Sequence, residues 1–444
     1  MKRSAEDRRA AARGRRHALP LWLVGAALLP ACDADTSEAR DAGAHDHDHV
    51  HDAALAPAAD SGNAEARSRA YAWPLPQGFP VPKVPRDNPL SVEKIELGRH
   101  LFYDKRLSGN GTQSCASCHE QARAFTDGRP VGIGSTGQPH VRSSMSLANV
   151  AYAESLTWAN TVLHSLEQQA LVPLIGEDPI ELGRTGQLDT LLQALSDDTT
   201  YSALFVKAFP DSTEPFSLEH VVAAIASFER ALISGDSAYD RYALQGETDA
   251  LSPAAERGMQ LFFSERLECF HCHGGFNLSG ATTHVGKAFD ETTFHNDALY
   301  NIDGRGAYPA NNTGVYAFTG DLADMGRFKA PTLRNIELTA PYMHDGSIAT
   351  LEEVIQHYAR GGRRIESGPN AGDGKQSPLK SEFITGFELS AKEASDLQAF
   401  LRSLTDETFI HDERLSDPFG PSPLTIRGPA RPTPRRGLMM AYRY

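Results

Sequence analysis

Two stretches of this chain obey one pattern, CxxCH: Cys115-Ala-Ser-Cys118-His119 and Cys269-Phe-His-Cys272-His273. In such a motif the two thiols bond the vinyl groups of a haem, and the adjacent His is placed to ligate the iron. A zinc site or a redox CxxC is the competing reading. It leaves the His after each second Cys unexplained, in both copies. The pattern therefore predicts two covalently bound haem c groups, held by Cys115, Cys118 and His119 and by Cys269, Cys272 and His273.

Four of the five cysteines are thereby used. The fifth, Cys32, follows a basic start (Lys2, Arg3, Arg8, Arg9, Arg13, Arg15, Arg16) and a mainly apolar run from Leu19 to Leu29, too short to span a membrane. This is the layout of a secretory leader. Leu29-Pro30-Ala31-Cys32 resembles a lipoprotein cleavage box, with Pro30 unusual in it, so residues 1–32 are expected to be a leader ending in a lipidated Cys. An ordinary leader with an incidental Cys is the alternative. Haem c is attached outside the bacterial cytoplasm, which makes the expected location the periplasm, with a membrane tether through Cys32. The net charge of -14 argues against a nucleic-acid partner.

Residues 33–85 read as a disordered tether, rich in Ala, Asp and Ser and then in Pro. Within it His45, His47, His49 and His51 alternate with Asp and Val, a tract able to hold copper or zinc loosely or simply to be solvated. An internal repeat follows. Gly98, Leu101, Phe102, Arg106 and Leu107 recur 160 residues later as Gly258, Leu261, Phe262, Arg266 and Leu267. Leu and Phe three and four positions after the Gly share one helical face, suited to packing on the haem that follows.

Apolar periodicity predicts further helices at 163–171, 188–195, 218–233, 351–358 and 391–404, with Gly-rich and Pro-rich loops between them. The fold class is accordingly mainly α: two cytochrome c-like haem domains with long irregular loops. The expected boundaries are 86–240 and 241–411, followed by a Pro/Arg-rich tail at 412–444 that reads as extended or disordered.

Beyond the motifs, residues 96–104 (ELGRHLFYD), 146–152 (SLANVAY), 328–335 (FKAPTLRN) and 341–346 (PYMHDG) resemble the bacterial dihaem cytochrome c peroxidase and MauG superfamily. The resemblance runs from about 86 to 410. Residues 156–160 (LTWAN) and 300–304 (YNIDG) are most similar to its methanobactin-associated members, the MbnH branch. The resemblance implies that hydrogen peroxide reacts at the N-terminal haem. The distal His that blocks that iron in many peroxidases falls on Ser135, so an open sixth position is expected. His140 is the nearest imidazole and reads as structural or solvent-facing.

By the same resemblance Gln169 matches a distal Gln, and Glu181, in Pro179-Ile180-Glu181, matches the carboxylate that moves a proton during O–O cleavage. Two extra residues in this stretch leave Glu177 as a rival. Trp158 matches the aromatic residue that relays electrons between the haems. The sixth ligand of the second haem lies fourteen residues beyond the His of Pro-Tyr-x-His-Asp-Gly, which is Tyr358 here, where peroxidases have Met and MauG has Tyr. His357, Met343 or an empty site are the alternatives. Phenolate stabilises oxidised iron, whereas thioether favours the ferrous form. The family's calcium ligands, an Asn side chain and two carbonyls, fall on Ser143, Thr339 and Pro341, and a hydroxyl is a poorer ligand than an amide oxygen, so Ca²⁺ binding is expected to be weakened.

The resulting expectation is a periplasmic oxidoreductase that uses peroxide to reach a high-valent dihaem state and oxidises a residue, a Trp by the MbnH resemblance, on a copper-binding partner protein. The rivals are a cytochrome c peroxidase fed by a small cytochrome or cupredoxin, a non-enzymatic dihaem electron carrier with two six-coordinate irons, and a lipoprotein whose business is the metal-binding His tract.

Overall fold

The described residues of the computed structural model are 71–289 and 294–420. The leader with Cys32, the His45–His51 tract and the tail beyond 420 lie outside them. Helices α1 (Val92–Tyr103), α2 (Leu166–Ile175), α3 (Leu188–Ser196), α4 (Thr199–Ala208) and α5 (Leu218–Arg230) form the first half. Helix α6 (Ala238–Ala243) bridges to the second, which holds α7 (Pro253–Phe262), α8 (Leu351–Arg360) and α9 (Ala391–Arg402). Single turns and two short antiparallel ribbons fill the rest. One ribbon pairs β1 (Phe294–Asn296) with β2 (Arg327–Lys329) in the register Phe294 to Lys329.

The starts of these helices are written in the sequence. Ser91, Ser165, Ser217 and Ser252 cap α1, α2, α5 and α7 by accepting backbone N–H groups, and Thr350 with Glu353 and Ser390 with Glu393 form capping boxes on α8 and α9. Helix α2 begins later than periodicity suggests. Asn160 Oδ1 accepts from the N–H groups of Val162 and Leu163 and holds that stretch as a turn.

The repeat has a structural basis. Gly98 of α1 sits so close to α5 that a Cβ would lie 1.9 Å from the Ala224 carbonyl oxygen and 2.9 Å from Phe228 Cβ; at Gly258 of α7 the same distances recur to Asp396 and Phe400 of α9. Only glycine permits this approach. Ala224 to Asp396 and Phe228 to Phe400 are each displaced by 172 residues, so the duplicated unit is a helix, a CxxCH turn and a closing helix.

The halves exchange segments. Ala159 and Trp158 pack in the second core with Phe262, Phe328 and Phe400. Phe409, Ile410 and Leu415, after α9, pack in the first with Phe102, Phe125 and Phe228. The tail from Asp412, expected extended or disordered, therefore begins as ordered chain: Tyr103 Oη donates to the Leu415 carbonyl at 2.8 Å and Arg99 to that of Ser416 at 2.9 Å. Residues 71–85 likewise are extended yet docked. Phe79 is buried against Tyr152 and Phe276 beneath the Arg334 guanidinium, and Tyr152 Oη donates to the Pro80 carbonyl. An aromatic ring within the Pro-rich lead-in outweighs its composition.

Candidate active site: two cavities with Trp158 in the wall

Each CxxCH turn opens into its own cavity. The first is lined by Cys115, Cys118, His119, His140, Arg142, Gln169, Glu181 and Glu229; the second by Cys269, Cys272, His273, Asp297, Met343, His344 and Tyr358. With their open mouths included they hold about 2160 and 1670 Å³ of empty space.

Both motif histidines are prepared as ligands. His119 Nδ1 lies 2.8 Å from the Phe125 carbonyl and His273 Nδ1 3.2 Å from that of Pro331. A carbonyl can only accept, so Nδ1 carries the proton and Nε2 keeps its lone pair. Burial lowers both imidazole pKa values, that of His273 to about 4. Burial pushes the Cys118 and Cys272 thiols up to about 11, opposite to the depressed pKa of a redox CxxC. Arg142 is a largely buried guanidinium at the first cavity, hydrogen-bonded by Nε to Asn312 Oδ1 at 2.8 Å and stacked over Phe328, with no carboxylate ion pair among the described residues. Neither ring nitrogen of His344, 2 % exposed, has a partner among the described residues. An unpaired cation and an unsatisfied imidazole suit the propionates of a haem, and these donors fit that group.

On the distal side of the first cavity, Glu181 is fixed through its backbone: Ser135 N–H donates to the Glu181 carbonyl at 2.7 Å, and the next N–H, of Leu182, to Pro173 at 2.8 Å. Its carboxyl faces the cavity with Gln169, and burial raises its pKa to about 7. Glu177 is exposed and does not line the cavity. His140, expected to be structural or solvent-facing, lines it, with Nδ1 3.9 Å from Glu181 Oε1.

Trp158 lines both cavities. Its Nε1 donates to the Ser143 carbonyl at 2.9 Å, and its own carbonyl accepts from Lys329 N–H at 2.8 Å. The preceding Thr157 holds φ +65°, a strained conformation for a β-branched residue.

In the second cavity the Tyr358 hydroxyl has no hydrogen-bond partner among the described residues, and burial together with Asp297 keeps the phenol protonated. His357 points elsewhere, its Nε2 2.9 Å from the Asp297 carbonyl, and it does not line the cavity, whereas Met343 does. Ser143, Thr339 and Pro341 share this cavity; Ser143 Oγ donates to the Met343 carbonyl at 3.3 Å, so its hydroxyl already has a partner.

Relatives decide the family. A cytochrome c peroxidase named IdrP1 from Pseudomonas sp. is 36% identical over 80% of this chain and 91% of its own. The chain belongs to the dihaem cytochrome c peroxidase and MauG family. The family model for dihaem cytochrome c peroxidases matches residues 92–249. The methylamine utilization protein MauG of Methylorubrum extorquens is 34% identical over 75% of this chain and 83% of its own. A solved MauG-like protein associated with microbial copper homeostasis is 53% identical, with a TM-score of 0.78, over 79% of this chain and 100% of that one. The protein is thus an oxidoreductase acting with peroxide, and its family implies two haem c cofactors.

Sequence reasoning missed three buried polar groups of this family member. Lys329 lines both cavities; its Nζ donates to the Ser155 carbonyl at 2.5 Å, and burial lowers its pKa to about 8. Glu229 lines the first cavity with Oε2 unpartnered, its pKa pushed up to about 8 by burial. Asp297 lines the second, raised to about 7 by burial and by Asp345. A signal existed for one of them: 172 residues after Glu229 the repeat has Leu401, which marks an apolar slot occupied by a carboxyl.

Proposed function

We propose that this protein is a periplasmic, MauG-type oxidase that spends hydrogen peroxide in the first cavity and takes the electrons, by way of Trp158 and the second cavity, from a Trp on a copper-binding partner protein. The observation that carries the reading is Trp158, one indole lining both cavities, with the unpartnered Tyr358 hydroxyl in the second. When bound, the haems supply the iron that reacts with peroxide and the redox centres that hold the oxidising equivalents.

The chain's own residues do the rest. His119 and His273 present bare Nε2 atoms to the metals. Glu181, ionised, accepts the proton of peroxide and returns it to the outer oxygen as that oxygen leaves; Gln169 orients the bound peroxide. Arg142 balances haem carboxylates. Tyr358 would be the residue that holds the iron of the second site, and as a phenolate it would favour the oxidised metal. The 53%-identical structure described as associated with copper homeostasis supports the choice of partner. The basic, apolar leader ending in Cys32 and the need to attach haem c after export support the location and a lipid tether.

A second reading is favoured by one observation. Met343 also lines the second cavity, and a thioether ligand would suit a cytochrome c peroxidase drawing electrons from a small cytochrome or cupredoxin. One equivalent of peroxide added to the diferric protein, followed by optical and EPR spectroscopy, separates them. The oxidase reading expects both ferric signals to be lost together and Tyr358→Phe to abolish the change at the second. Untouched spectra refute it, and dependence on prior reduction with loss in Met343→Leu favours the peroxidase.

A further inference from the structure

The turn carrying the second CxxCH motif differs from its copy in one chemical respect. Around the first motif, Ser114 and Ser117 close a capping box, with Ser114 N–H donating to Ser117 Oγ at 3.0 Å. Glu268 and His271 hold the same two places in the second. The turn forms with hydroxyls alone, so an acid and an imidazole there are not demanded by the fold.

Among the described residues, Glu265, Glu268 and His271 are a group whose metal-ligating atoms all lie within 4.8 Å of one another. His271 Nε2 is 2.6 Å from Glu268 Oε2 and 3.8 Å from Glu265 Oε2. Stacking on Phe383, with centroids 4.3 Å apart and planes 14° from parallel, orients the His271 ring without engaging either nitrogen. Glu268 holds φ +59°, where Ser114 is extended, a strained backbone of the kind retained at functional sites.

We propose that Glu265, Glu268 and His271 bind one divalent transition ion at the rim of the second haem cavity. Tetrahedral bonds of about 2.0–2.2 Å separate ligand atoms by about 3.3–3.5 Å. The His271–Glu268 pair opens and the His271–Glu265 pair closes by less than about 1 Å, and the two carboxylates, within 4.8 Å of each other, close by no more than about 1.5 Å, movements open to the exposed Glu265 and the half-buried Glu268 side chains. One imidazole with two carboxylates suits an ion of borderline softness such as Zn²⁺. Three protein ligands leave a fourth position open to solvent, so the ion exchanges. Glu268 and Phe383 both line the second cavity, and a dication on Glu268 opposes positive charge on the iron beside it, raising that haem's midpoint potential.

Zn²⁺ alone is the probe. The haem-loaded full chain carrying His45→Ala, His47→Ala, His49→Ala and His51→Ala, which silence the tract, is titrated by calorimetry, and the second haem's midpoint is measured with and without the ion. One equivalent bound and a positive midpoint shift are expected. Glu268→Ser with His271→Ser recreates the turn of the first motif; it should retain both haems while zinc affinity falls at least tenfold and the shift disappears. Glu265→Gln, on a side chain that is 82 % exposed, weakens binding without threatening the fold. The proposal is overturned if zinc does not bind, or if the double variant binds it as tightly and keeps the shift.

Discussion

Replacing Glu181 by Gln tests whether the carboxyl in the first cavity is the proton carrier. Burial places its pKa at about 7. With that value about 1% is ionised at pH 5 and about 91% at pH 8, so a step needing the carboxylate accelerates about 90-fold across this interval. With the ordinary value of about 4.5 the same interval gives about 1.3-fold, which makes the profile decisive. The assay is stopped-flow absorbance of the diferric protein after mixing with peroxide, at fixed ionic strength. At pH 8 the variant should be slower by about 10²–10⁴, or about 2.7–5.5 kcal/mol in the barrier, and its rate should not vary with pH.

Toward pH 5 the gap between the two proteins narrows by about 90-fold, because most of the wild type has lost its base. Burial also lowers the His140 pKa, leaving that neighbour neutral near pH 7, without a positive charge to draw the Glu181 pKa down. Stability runs the other way. A carboxyl whose folded pKa exceeds its unfolded value contributes most below the unfolded value and loses the contribution as pH rises through about 7. Glu181→Gln should therefore melt higher than wild type at pH 8 and not at pH 4. A flat wild-type profile, or an equal loss in Glu177→Gln, refutes the assignment.

Two stability predictions test the frame. Arg334→Met leaves Asp240, 0 % exposed and bonded to that guanidinium at 2.7 Å, buried without its partner; a loss of about 3–5 kcal/mol is expected in denaturant unfolding. Gly258→Ala drives a methyl to 1.9 Å from the Asp396 carbonyl; despite Ala's helix preference of about 1 kcal/mol, a net loss of about 1–3 kcal/mol is expected, with separation of α7 from α9 read as weakened retention of the second haem's spectrum.

What was legible in the sequence is what depends on local pattern. The CxxCH turns and the Gly98/Gly258 repeat are short-range signals, and each corresponds to an element in the structure. Choosing between Glu181 and Glu177 was not a local question. Both sit in the loop after α2, and only the clamp of Ser135 and Pro173 on the chain around Glu181 turns one inward. Lys329 and Asp297 were invisible for a related reason. Each belongs to a strand or to a turn beside it, and a charged side chain there reads as solvent-facing until the partner element covers it. The docking of Phe79 and Leu415 was hidden by their Pro-rich and polar surroundings, because tertiary burial of a single side chain leaves no periodicity.

The duplication itself explains how the two cavities came to differ. The shared parts are those a haem needs for attachment: two thiols, a His with its Nδ1 held by a carbonyl, and a helix pair joined at a glycine. Everything distinguishing the copies lies where the repeat breaks. Glu229 faces the first cavity where Leu401 stands in the second half, and the Ser pair of the first turn gives way to Glu268 and His271. Glu181 and Glu229 at the first cavity favour moving protons. A phenol with no partner at the other favours holding oxidising equivalents. In the proposed oxidase such unlike halves, joined at Trp158, separate the reaction with peroxide from the oxidation of a partner too large to enter either cavity.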